Sequence, residues 1–184
     1  MGTIADLSRA EEFLDKGELK EAKSRAASLC RALYETEDKD KVLGWRTGEH
    51  SVMQLKEIRR KAEEIRREAD VFVIVGVGGS NQAARAVIEA LPVKEGPKIM
   101  YLGNTLSPYT IKKTLEVMEG KSVYIDVIAK NFETLEPGSH FRILRQWMER
   151  RYGKEDMARR ITVTGTKGSR LEEIAGENGY LFLE

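Results

Sequence analysis

Two short segments carry residue types suited to holding an anion. The first is Gly76-Val77-Gly78-Gly79-Ser80-Asn81, which directly follows the apolar run Val71-Phe72-Val73-Ile74-Val75 and opens an amphipathic stretch. Glycines let a backbone approach a ligand closely and turn amide N–H groups toward it. A helix starting there adds unpaired donors and partial positive charge, the combination that binds phosphate. Ser80 offers a hydroxyl either to a phosphate oxygen or to the helix start as a cap, and spacing alone leaves both open. The second segment is Ala129-Lys130-Asn131-Phe132-Glu133-Thr134-Leu135-Glu136-Pro137. Lys130 and Asn131 stand where another apolar run ends and can reach an anion. Thr134 suits an N-cap, and Glu136 the first helical turn, where the dipole favours a carboxylate. Taken alone, this segment also reads as a capped helix start with solvated Lys130 and Glu133.

A dinucleotide turn fits poorly. Position 81 is Asn where a third glycine is required, and the next apolar run ends in Gly103-Asn104-Thr105, not at an acidic residue for a ribose. His140 reads as ordinary helix surface or packing, and Cys30, inside a helical stripe, as a small buried apolar side chain.

The elements that position these segments change character at Val71. Residues 1–70 read as helices: Ala5 to Lys16, ending at Gly17; Glu18 to Thr36; and Ser51 to Asp70, with a polar connection and a loop around Trp45 between the last two. Trp45 is expected to anchor that loop. From Val71 onward strands alternate with helices. Strands are expected at 71–75, 98–102, 122–128, 160–164 and 180–183. Helices are expected from about Asn81 to Leu91, Pro108 to Gly120, Leu135 to Tyr152, and after a capping box at Ser169-Arg170-Leu171-Glu172. This alternation predicts an α/β fold: a three-layer αβα domain over 71–184 with a five-stranded parallel sheet of flavodoxin-like order 2-1-3-4-5, preceded by a helical segment, 1–70, packing on it. Ligands of such sheets bind beyond the carboxyl ends of the strands, where the first and third strands part, and both anion segments fall there.

Composition narrows the classes. The chain of 184 residues carries 31 Lys and Arg against 30 Asp and Glu, a net charge of +1, which argues against a protein that coats nucleic acid. No apolar run reaches the roughly 20 residues of a membrane helix, so no membrane partner is expected. With one cysteine, no internal disulfide forms, and a reducing, cytoplasmic setting is expected.

Read together, the segments resemble the glucose-6-phosphate isomerase (phosphoglucose isomerase) family. VFVIVGVGGSNQAARAVIEAL, from Val71 to Leu91, is similar to its first strand, GxGGS turn and helix. Gly103-Asn104 with Leu106-Ser107-Pro108 is similar to the next corner, DVIAKNFETLEPGSHFR from Asp126 to Arg142 to the phosphate loop and the helix behind it, and Thr164 to Gly168 to the turn after that. The resemblance implies a SIS domain, the N-terminal part of an isomerase that interconverts glucose 6-phosphate and fructose 6-phosphate in glycolysis and gluconeogenesis without metal or organic cofactor. It implies that Gly78, Gly79 and Ser80 contact the sugar phosphate from the first turn and that Lys130, Asn131 and Thr134 hold it from the second. Glu136 matches the loop carboxylate near the sugar, the candidate catalytic residue. Ala129 stands where the family has a serine, and Asn131 and Glu133 where hydroxyls are usual, so a weakened phosphate site is expected. The family's base, ring-opening histidine and Gly-Gly-Arg turn match nothing in this sequence, so no turnover by the chain alone is expected. Self-association, as a homodimer or through Tyr180 and Phe182 on an edge strand, is expected as well. A stand-alone SIS binding or regulatory module, and an engineered scaffold without ligand, stand as the alternatives.

Overall fold

The strands form where the apolar runs lie: Val71–Val75 (β1), Lys98–Leu102 (β2), Val123–Ala129 (β3), Ile161–Gly165 (β4) and Leu181–Leu183 (β5). They make one sheet of order β2-β1-β3-β4-β5 with every neighbouring pair parallel. The expected order is therefore the observed one. β3 and β4 run one residue later than expected at each end, and β5 begins at Leu181 rather than Tyr180. The helices are Ser8–Glu11 (α1), Lys16–Glu35 (α2), Glu49–Met53 (α3), Leu55–Glu68 (α4), Gly79–Ala90 (α5), Pro108–Met118 (α6), Leu135–Arg160 (α7) and Arg170–Asn178 (α8). This computed structural model describes residues 8–11, 13–37, 43–46, 48–91, 95–130 and 132–184. Contacts divide the chain into two units, Met1–Glu49 and His50–Glu184.

In the first unit the helix expected over 5–16 does not run to Gly17. Residues 5–7 lie outside the described ones, α1 is a single turn, and α2 starts at Asp15, whose carboxylate accepts the N–H groups of Gly17 at 2.8 Å and Glu18 at 3.0 Å. The pattern Asp15-x-x-Glu18 is a helix start, and it outweighs the glycine as a stop. α2 buries none of its residues, so Cys30, expected inside, is exposed. An apolar stripe marks a face of a helix without supplying what covers it. Trp45, expected as an anchor, is also exposed.

In the second unit β1 is apolar at every position because both faces of the sheet are covered. On one face Val71, Val73, Val75, Val123, Ile125 and Val127 are fully buried, packed with Phe141, Leu144 and Met148 of α7 and Leu171 of α8. Tyr180 belongs to this core: it is 6% exposed and meets Phe141 edge-on at 6.3 Å, and Phe182 packs beside it, so neither is the exposed apolar contact that the sequence suggests. The first stretch of α7 ends at Tyr152, as expected. Gly153, at φ 72° and ψ 174°, breaks it, and a last helical stretch carries the chain to Arg160 and into β4.

On the other face a charged cluster fastens α4 to the amino ends of the strands. The Tyr124 hydroxyl bonds Glu68 at 2.8 Å, and Arg159 donates to Glu64 at 2.9 Å, Glu68 at 2.6 Å and the Tyr124 oxygen at 2.6 Å. Lys61, only 6% exposed, donates to Glu64 at 3.0 Å and to the Arg159 carbonyl at 2.9 Å. The Arg160 guanidinium lies 5.0 Å from the Tyr124 ring centre and 4.3 Å from that of Tyr152. Arg67, donating to Glu68 at 2.8 Å, and then Arg159 and Tyr124 hold the Glu68 carboxyl down at about 2. Further along β3, Asp126 faces an apolar cavity of about 700 Å³ walled by Ile58, Ile65, Phe72, Val87 and Ile99. Among the described residues its hydrogen-bond partner is the Thr164 hydroxyl, at 3.1 Å, and burial pushes its carboxyl up to about 6.

At their carboxyl ends β1 and β2 touch backbone to backbone. The Gly76 N–H donates to the Leu102 carbonyl at 2.9 Å, and a Cβ on Gly103 would lie 2.8 Å from the Gly76 oxygen. Gly103 also has φ 99°, outside the range that other L-residues readily adopt.

Three outcomes are expected in denaturant titrations. Tyr124→Phe lowers stability by about 1–3 kcal/mol at neutral pH, since a bond to a carboxylate is lost. Because the Glu68 pKa is depressed from 4.5 to about 2 in the folded chain, that deficit shrinks as pH falls through this window. Asp126→Asn acts oppositely: the folded pKa is raised from 3.8 to about 6, so ionisation opposes folding, and the variant is more stable than the unmutated chain at pH 7, by at most about 3 kcal/mol, with no gain below pH 4. Gly103→Ala costs at least about 2 kcal/mol through strain and contact with Gly76.

Candidate functional site

The site is built by the two turns that leave neighbouring strands. β1 and β3 pair from Val71↔Val123 to Val75↔Val127, so Gly76 and the end of β3 emerge side by side. After β1 the chain turns at Gly78, whose φ 58° and ψ −129° only glycine adopts readily. Gly78 is the N-cap of α5, and its carbonyl accepts the first intrahelical bonds, from Asn81 N–H at 3.1 Å and Gln82 N–H at 2.9 Å. α5 thus starts at Gly79, two residues earlier than the sequence suggests, and Ser80 sits in its first turn and does not cap it. No side chain caps this helix, and a Cβ on Gly78 or Gly79 would meet nothing within 4 Å. Of the backbone N–H groups ahead of the first intrahelical bond, that of Ser80 donates to the Val77 carbonyl at 3.3 Å, and those of Gly78 and Gly79 have no backbone partner among the described residues.

After β3, Lys130 is exposed, and its carbonyl accepts the Thr166 N–H at 3.3 Å, which ties this loop to the turn after β4. Asn131 lies outside the described residues. Thr134 takes the N-cap position of α7, as expected, but its hydroxyl makes no capping bond. Glu136 follows in the first turn, half-buried, and Glu133 is exposed. Gly78, Gly79 and Ser80 thus head one helix, and Thr134 and Glu136 head another, at the carboxyl ends of adjacent strands with Lys130 between. That arrangement brings two helix N-termini to the carboxyl ends of neighbouring strands.

Three residues of the site are not evident from the sequence. Asn81, 2% exposed, donates from Nδ2 to the Gly76 carbonyl at 3.2 Å, and its Oδ1 has no partner among the described residues. Phe132 has φ 62°, rare for a residue with a side chain, and its ring meets Phe141 edge-on at 5.8 Å. The aromatic contact holds a strained loop in place. His140, expected at the helix surface or in packing, is 1% exposed, and its Nδ1 accepts the Gly103 N–H at 3.0 Å. Burial holds its pKa below the ordinary histidine value, so it is neutral at pH 7. The signal for its burial was present: His140, Leu144 and Met148 recur at intervals of four on one helical face. Among the described residues no helix is long and apolar enough to cross a membrane.

No protein-family model matches the chain. Curated glucose-6-phosphate isomerases match it at length. That of Shouchella clausii is 32% identical, covering 95% of this chain and 42% of the relative. That of Alkaliphilus metalliredigens is 31% identical over 97% of the chain and 43% of the relative, and that of Symbiobacterium thermophilum 40% identical over 69% and 31%. Among solved structures, a hypothetical protein from Thermus thermophilus superposes with a TM-score of 0.75 at 25% identity, covering 89% of this chain and 40% of that one. A glucose-6-phosphate isomerase from Chlamydia trachomatis, with a TM-score of 0.62, 20% identity and coverage of 84% and 29%, shares the fold. The chain spans less than half the length of the curated relatives that it matches. Identity of this order along nearly the whole chain, on a shared fold, means that the chain belongs to the glucose-6-phosphate isomerase family, as a stretch matching under half of its relatives' length.

Proposed function

We propose that the mouth formed by Gly78, Gly79, Ser80, Lys130, Asn131 and Thr134 binds the phosphate of a sugar phosphate, and that this chain supplies that part of the site of a glucose-6-phosphate isomerase. The observation that carries the reading is the convergence of α5 and α7, both starting where adjacent strands end, with their N-terminal groups uncapped by side chains. A phosphate dianion there would gain the Gly78 and Gly79 N–H donors, and Lys130 would add a full charge. The hydroxyls of Ser80 and Thr134, neither of them capping a helix, would donate to the remaining phosphate oxygens.

In this reading the phosphate is the handle and the sugar chain lies toward Glu136. Isomerisation between an aldose and a ketose moves a proton between adjacent carbons, which requires a positioned base. Glu136, in the first turn of α7, is the carboxylate this chain offers near the sugar; the base itself matches no residue of this sequence. The family's substrates, glucose 6-phosphate and fructose 6-phosphate, are proposed for this chain on the strength of its relatives.

The loop also carries its own weaknesses. Ala129 offers no hydroxyl, which removes on the order of 1.5–3 kcal/mol for a bond to a charged group. An ionised Glu133 near the dianion repels it. The expected dissociation constant is about 1 mM, roughly −4 kcal/mol.

An NMR titration of the chain with inorganic phosphate and with fructose 6-phosphate tests this. Both ligands should move the amides of Gly78, Gly79, Ser80 and Thr134. Lys130→Ala should weaken binding about two- to fivefold, the scale of an exposed ion pair, and Glu133→Thr should strengthen it. Shifts confined to other surfaces, or none up to tens of millimolar against an expected affinity of about 1 mM, would sink the proposal.

A further inference from the structure

We infer that His140 is a positioning residue: its neutral imidazole holds the corner after β2 in the place that aligns the two helix N-termini of the mouth. The contacts form a relay. Nδ1 of His140, in the second turn of α7, accepts the Gly103 N–H at 3.0 Å. Gly103 presses on Gly76, where an added Cβ would lie 2.8 Å from the Gly76 oxygen. That same oxygen accepts Asn81 Nδ2 at 3.2 Å, from the first turn of α5. The chain of contacts therefore runs from α7 through the ends of β2 and β1 to α5, joining the two helices whose N-termini face the proposed phosphate. Within it, His140 is the member contributed by α7.

The tautomer follows from the bond. A nitrogen that accepts an N–H carries no proton, so the proton of the neutral ring is on Nε2. Nε2 is buried and, among the described residues, without a hydrogen-bond partner. Among the described residues, Glu136 on the same helix is the ionisable group whose charge reaches the ring, and it favours the protonated form; the β2 corner contributes only the Thr105 carbonyl. Burial outweighs both and keeps the ring neutral. On protonation Nδ1–H would confront the Gly103 N–H, two donors facing each other, in a place closed to solvent. The corner is therefore held at neutral pH and released as pH falls below the ordinary histidine range.

The effect on ligand binding rests on the phosphate reading above; the contact with Gly103 does not, and the experiment separates the two. In the ligand-free chain, ¹⁵N spectra should show the Nε2–H tautomer, and the Gly103 amide should move with the titration of His140. His140→Asn places Oδ1 where Nδ1 stood, so it should keep the neutral-pH Gly103 signal and lose the titration. His140→Leu should displace the Gly103 signal at every pH and weaken inorganic phosphate by about three- to tenfold, the scale of one hydrogen bond, while His140→Asn binds it nearly as the unmutated chain does. Phosphate's own ionisation appears in all three chains, so the difference between the unmutated and Asn chains isolates the histidine. An Nδ1–H tautomer, or an Asn variant whose Gly103 amide titrates like the original, would overturn the inference, and both readings survive a Leu variant that fails to fold. Absence of phosphate binding in every chain would end the phosphate reading and leave the Gly103 result to decide the role of His140.

Discussion

Parallel strands cannot be joined by a tight turn, and this constraint organises the rest of the molecule. Each strand must be followed by a crossover that packs on a face of the sheet, and the hand of the crossover is fixed. With the order β2-β1-β3-β4-β5, the chain leaves β1 toward one side and β3 toward the other. Two helix starts then stand beside each other at one edge, with no strand between them. Nothing in the loops alone creates this meeting of donors. It is a consequence of strand order, and the loops decide only how well an anion is received.

How well it is received depends on small substitutions. The backbone donors of Gly78 and Gly79 are independent of side-chain identity, so the proposed attraction for an anion would persist through changes nearby. Ala129 and Glu133 act on the other term, the specific hydroxyl contacts and the local charge. The strained Phe132 shows the same separation. Its backbone keeps the loop in shape, and the contact with Phe141, 5.8 Å between ring centres, fixes that shape to the core.

Much of this was legible in the sequence. The runs 71–75 and 98–102 mark strands to the residue, because an uninterrupted apolar run of that length has few other uses. Gly78, Ser80, Lys130 and Thr134 stand out by type and by their place after apolar runs, and the fold puts them after the carboxyl ends of β1 and β3. What escaped was decided by tertiary contact. A histidine among Arg, Ser and Phe on a helix looks ordinary until Gly103, 37 positions away, is brought to its Nδ1. Asn81 looks like a missing glycine and is a buried brace on the turn it belongs to. The helix start at Asp15 is visible by residue type, but Gly17 two positions later competes with it as a stop, and only the capping bonds decide between them. The second helical stretch of α7, beyond the break at Gly153, was not foreseen from the sequence, which marks only the first stretch's end at Tyr152.

The cluster of Tyr124, Glu64, Glu68, Arg159 and Arg160 has a wider consequence. It lies at the amino ends of the strands, the opposite edge from the helix starts. Cohesion and recognition are thereby assigned to opposite poles of the sheet. A lineage can exchange residues at the recognition pole, as a serine-to-alanine or threonine-to-glutamate change would do, while the fold stays anchored from the far pole. Such a domain is free to drift in what it binds, and even to lose its ligand, long before it loses its shape.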